Sequence, residues 1–104
     1  MKSLLKFAFL TILAACTTAA VAQSAADNYK SKCAMCHAVD GSANTPAGKA
    51  MQTPPLSAPS FAKASDAELF AIIKNGKAKM PAFAGKLTDA EMAALVSYIR
   101  TLQK

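Results

Sequence analysis

Histidine is almost missing from this 104-residue chain, with His37 the only one present. Chemistry that needs a second imidazole is therefore excluded. Cysteine is scarce as well, at Cys16, Cys33 and Cys36 only, which leaves no room for the dense disulfide framework of many small secreted domains. Arginine occurs once, at Arg100, and neither a basic run nor aromatic interleaving among the lysines is found. Nucleic-acid binding is thus not indicated. No apolar run reaches the roughly 20 residues needed to cross a bilayer, so no permanent membrane span is expected.

What the amino end does have is an export signal. Lys2 and Lys6 precede the apolar stretch from Phe7 to Ala15, and the small residues Ala20-Val21-Ala22 close it. Residues 1–22 are read as a signal peptide cleaved after Ala22, leaving one domain over 23–104 and a periplasmic location. Leu13-Ala14-Ala15-Cys16 also resembles a lipoprotein box, in which Cys16 would become the lipidated first residue. Cleavage after Ala22 is preferred because it meets the small-x-small requirement. Loss of Lys2 and Lys6 takes the basic count from twelve to ten against six acidic residues, a mature charge of about +4.

Cys33-Ala34-Met35-Cys36-His37 is the stretch around which the rest is organised. Two thiols three positions apart, followed at once by an imidazole, form the pattern that attaches haem. Each thiol adds across a vinyl group, and the histidine is carried beneath the iron. A redox dithiol would need a βαβ setting, and no strand-like alternation surrounds these cysteines. Structural zinc would need a fourth nitrogen or sulfur ligand, yet Cys16 lies in the export signal. A mature domain this small has a lean core and needs a supplement, which one covalently bound haem supplies.

Helical signals dominate the remainder. Ser24 is read as the N-cap of a first helix reaching Cys36, with Ala25, Ala26, Tyr29 and Cys33 on one face. Ser65 with Glu68, and Thr88 with Glu91, form two capping boxes. The first opens a helix ending at Gly76, and the second opens one whose apolar stripe is Met92, Leu95, Val96, Ile99 and Leu102. Between His37 and Phe61, the prolines at 46, 54, 55 and 59 exclude any long helix. Met80 stands before Pro81 on a stiff loop bounded by Gly76 and Gly85, where its thioether is placed to serve as a second iron ligand. Met51, in the proline-rich loop, is the rival for that role.

With these features together, the chain resembles the small class I c-type cytochromes over residues 24–104. The resemblance rests on the haem motif, Thr45-Pro46, the capped middle helix, Gly76-Lys77-Ala78-Lys79-Met80-Pro81-Ala82-Phe83, and the closing Tyr98-Ile99-Arg100. It implies an all-α fold of three to four short helices around one covalently attached haem. By the same resemblance Cys33 and Cys36 are the thioether anchors, His37 and Met80 the axial ligands, and the Pro46 carbonyl the acceptor for the far nitrogen of His37. Tyr29 and Tyr98 would pack where the first and last helices cross. The function implied is one-electron transfer, not enzymatic catalysis, by a monomer shuttling between redox partners. Lys74, Lys77, Lys79 and Lys86 flank Met80 and either steer partners with acidic docking patches or simply solubilise the surface. A haem enzyme or ligand sensor would want a distal base that the chain lacks. A haem-bearing subunit of a membrane-associated dehydrogenase or oxidase is the third reading, for which a lipidated Cys16 would be circumstantial support.

Overall fold

The computed structural model describes residues 20–104, and Lys2, Lys6 and Cys16 of the expected export signal lie outside that range. Six helical segments follow one another. They are α1 over 20–32, α2 Ala34–His37, α3 Pro46–Ala50, α4 Pro59–Ala62, α5 Asp66–Asn75 and α6 Asp89–Leu102. Among the described residues there is no strand, only isolated bridges pairing Lys77 with Met80 and Ala84 with Leu87. The fold is all-α. Three of the segments have only four or five residues, which is why the total exceeds the three to four helices expected.

The two capped helices form as their sequences dictate. Ser65 accepts the Glu68 amide while the Glu68 carboxylate accepts the Ser65 amide, and α5 ends at Gly76 with φ 76°. Thr88 and Glu91 do the same for α6. These boxes satisfy amides that a helix start otherwise leaves without partners. Leu69 and Ile73 of α5 meet the buried stripe of Met92, Leu95, Val96 and Ile99, and this pairing makes up most of the core.

Helix α1 departs from expectation at its start. Ser24 is not a cap but an exposed residue within the helix, because Ala20-Val21-Ala22-Gln23 contains no Gly or Pro to stop it. Its inner face is Ala25 and Tyr29, one turn apart and buried. Tyr29 is fully enclosed and meets Tyr98 of α6, the ring centroids 5.2 Å apart with planes tilted by 48°. Asn28 adds a side-chain bond to Glu91 at 3.2 Å. The tyrosine contact between the first and last helices is therefore present.

The proline-rich middle is more ordered than a loop. Pro46 and Pro59 each occupy the first position of a short helix, where the missing N–H costs nothing. Leu56 between them is buried and donates its amide to Gly41 at 2.9 Å.

Candidate functional site

Cys33 sits at the break between α1 and α2, with φ −116° and ψ −36°. Its carbonyl accepts the amides of both Cys36, at 3.2 Å, and His37, at 2.9 Å, which fixes the short turn carrying the two sulfurs and the ring. Both cysteines are free thiols and half-buried. Burial pushes the Cys33 thiol up to about 11, with the nearby Cys36 adding to the effect and Lys32 opposing it. A thiol held protonated resists oxidation to a disulfide, since the thiolate is the reactive form. Burial also lowers the His37 pKa, favouring the neutral imidazole that a metal takes as ligand.

Thr45 and Gly48 hold this turn from outside. The Thr45 hydroxyl donates to the Met35 carbonyl at 2.6 Å and accepts the Gly48 amide at 2.9 Å, capping α3 against α2. A Cβ on Gly48 would lie 2.3 Å from the Cys36 carbonyl and 2.5 Å from that of Ala43. Only glycine permits so close an approach. Gly48 gave no signal in the sequence and Thr45 only as part of Thr45-Pro46, because their partners lie across a turn whose course the motif does not specify.

The His37 Nδ1 atom is buried and has no hydrogen-bond partner among the described residues. The expected bond to the Pro46 carbonyl is not made. Pro46 occupies the first position of α3, where its fixed φ helps start the helix.

Met80 is carried on a tight turn closed by two reciprocal bonds. Lys77 N–H donates to the Met80 carbonyl at 3.2 Å, and Met80 N–H donates to that of Lys77 at 2.9 Å. Ala78 inside the turn has φ 52°, and Gly76 before it approaches Met80 so closely that a Cβ would lie 2.7 Å from the Met80 carbonyl. Phe83 and Ala84 then donate back to Ile73 and Lys74 at 3.0 and 3.1 Å, pinning the segment to the end of α5. The Met80 side chain is half-buried and packs on the same core cluster as Cys33 and Ala34. Met51, at the end of α3, is 49% exposed.

A family model described as cytochrome C oxidase, cbb3-type, subunit III, matches residues 20–99. The chain belongs to that family. It is a small c-type cytochrome and works by haem-based electron transfer. No curated protein matches the chain.

The side chains of this cytochrome fit a c-type haem on grounds of their own. Two unpaired thiols flank one turn, a buried imidazole nitrogen is unpartnered, and a soft thioether waits on a pinned loop. An open cleft of about 380 Å³ lies alongside, lined by Ser60, Phe61, Ala64, Glu68, Ala71, Ile72 and Lys77. None of Cys33, Cys36, His37 or Met80 lines it, although Lys77, bonded both ways to Met80, does. Phe61 and Ala64 rest on the same core as Cys33 and Met80, so cleft and ligand set share one apolar floor.

The four lysines flanking Met80 in this cytochrome fall into two groups. Lys74 pairs with Asp89 at 3.2 Å and stands 5.8 Å over the Phe70 ring, and Lys86 stands 5.8 Å over Phe83. Lys77 and Lys79 are exposed and make no ion pair among the described residues. Among the described residues, the large apolar side chains left most exposed are Met35 and Val39, on either side of the Cys36-His37 pair, at 76% and 63%.

Proposed function

We propose that this cytochrome is an exported one-electron carrier that holds a single haem through Cys33 and Cys36, with His37 and Met80 as axial ligands. The observation that carries the reading is the placement of Met80 on a doubly bonded turn, its side chain against the core that also receives Cys33. A bound haem supplies the one-electron couple itself. The chain's part is to keep both ligands still. Cys33 anchors the amides of Cys36 and His37, the His37 carbonyl accepts the Ala43 amide at 2.8 Å, and the Met80 turn is tied to α5. Such bracing limits movement between oxidation states, and a neutral sulfur donor favours the reduced form.

The test is an optical spectrum of purified protein in both oxidation states, including the weak near-infrared band of sulfur-ligated ferric haem. That band, with no response of the reduced protein to carbon monoxide, supports closed His37/Met80 ligation. Its absence with rapid carbon monoxide binding sinks it. Met80→Ala should open the sixth position and lower the reduction potential; if Met51→Ala does so instead, the ligand is Met51.

The leader-like residues 1–22 support a periplasmic location, and the mass of the mature N-terminus distinguishes cleavage after Ala22 from a lipid anchor on Cys16. Lys77 and Lys79 beside Met80 suit a redox partner with an acidic docking patch. A second reading has a specific observation behind it, because the matching family takes its description from an oxidase subunit. Stable co-purification with a membrane-bound oxidase would favour a fixed subunit over a free shuttle.

A further inference from the structure

We propose that Arg100 is a positioning residue for the haem, holding from the far end of α6 the Phe61–Ala64 wall that rests on the same core as Cys33 and Met80. The inference rests on the haem-bound reading above. Arg100 Nη1 donates to the Phe61 carbonyl at 3.3 Å and to Gln103 Oε1 at 3.0 Å. Nη2 donates to the Ala64 carbonyl at 2.5 Å and lies 2.9 Å from Asp66 Oδ1, which Nε reaches at 3.0 Å. One planar fork thus joins the end of α4, the start of α5 and the last turn of α6.

The wall needs that outside support. Helix α4 is four residues long, and its N-cap, Ala58, makes no side-chain cap bond. A single turn of helix is far below the length that persists unaided in water. Phe61 and Ala64 line the cleft while Arg100 does not, so its influence on the cofactor is exerted through the wall. Gln103 reinforces the arrangement by donating to the Leu56 carbonyl at 3.1 Å, upstream of α4. Lysine would keep the charge but offers one nitrogen in place of a rigid fork with five N–H donors. Losing the fork would let water reach the wall side of the cleft, and solvent exposure shifts haem toward its oxidised, more positive form.

The experiment compares holoprotein of wild type, Arg100→Met and Arg100→Lys by optical redox titration, with thermal unfolding alongside. The expected result is a shift of the reduction equilibrium toward the oxidised form of about tenfold in Arg100→Met, which is about 59 mV for a one-electron couple. Arg100→Lys should shift the same way by at least about threefold. A folded Arg100→Met protein at wild-type potential overturns the proposal even if its unfolding temperature falls, since that is the mark of a merely structural arginine. Should Arg100→Met not fold, Arg100→Lys decides by the same criterion. Wild-type protein without covalent haem would overturn the underlying reading as well, whereas unmoved potentials in haem-bearing variants overturn the positioning role alone.

Discussion

Two residues set the close geometry around the attachment turn. Gly48 is held by sterics, because any Cβ there would strike two backbone carbonyls, and backbone cannot give as a flexible side chain can. Gly48→Ala should therefore destabilise the protein by about 3 kcal/mol, the upper end of ordinary overpacking costs, measured by denaturant unfolding. Tyr29 is held by a bond. Its hydroxyl donates to the Ala38 carbonyl at 2.6 Å, just past His37, and burial, with lesser effects from Cys33, Tyr98 and Asp40, raises its pKa well above the usual tyrosine value. Tyr29→Phe keeps the ring against Tyr98 but leaves that carbonyl without its donor, so a loss of about 1–2 kcal/mol is expected. An unchanged unfolding midpoint would show that water replaces the hydroxyl. Tyr29 announced itself only as a packing residue, since the second role depends on Ala38 adopting φ 67°.

The secondary structure was legible wherever its code is local. Ser65 with Glu68 and Thr88 with Glu91 are three residues apart, and the caps they form require nothing from the rest of the chain. Ser24 failed as a start signal because a cap residue ends a helix only when the preceding residues resist helix, and Ala20 to Gln23 do not. Pro46 and Pro59 exclude a long helix and at the same time initiate short ones. Removing the Thr88 cap by Thr88→Ala should cost about 1 kcal/mol and fray the first turn of α6. Glu91 adds a pH dependence to the same turn. Its carboxylate accepts the Thr88 amide and the Asn28 side chain, and these bonds hold its pKa below the ordinary 4.5. A lowered folded-state pKa means that the unfolded chain binds the proton more readily. The stabilisation is complete above the unfolded value and is lost as pH falls through the folded one. Thermal unfolding of wild type should drop faster than that of Glu91→Gln below about pH 4.5; parallel curves would remove Glu91 from the account.

At the scale of the molecule, the contiguous motif was readable while the contacts gathered around it were not. Cys33 to His37 carries a haem-attachment pattern within five residues, whereas the Arg100 fork joins partners 34 to 39 positions away. Phe61, Ala64, Phe70 and Met80 remain only partly buried at the margin of the core. A domain of this size with an unfinished apolar side depends on its cofactor for stability. Cys33→Ala/Cys36→Ala protein should therefore carry no covalent haem and unfold at a clearly lower temperature by circular dichroism. Wild-type haem content in that double variant would sink the attachment scheme.

The distribution of charge around the Met80 loop leads to the last expectation. Asp89 answers part of the Lys74 charge, and Lys86 is drawn over the Phe83 ring, so neither ammonium offers itself freely to an approaching protein. Lys77 and Lys79 are exposed within the Met80 turn and do. If a redox partner docks there through carboxylates, the encounter is steered over roughly a Debye length, about 10 Å at 0.1 M salt. Electron transfer with an acidic partner should then slow by about tenfold on reversing both Lys77 and Lys79 to Glu, within the usual range of steering effects. Lys74→Glu should matter less, since its charge is already partly answered. Raising the salt should slow the wild type toward the double variant, because screening removes the same attraction that reversal removes. A rate flat in salt and indifferent to Lys77 and Lys79 would assign these lysines to solubility and move the docking face to the apolar Met35 and Val39 beside the attachment turn.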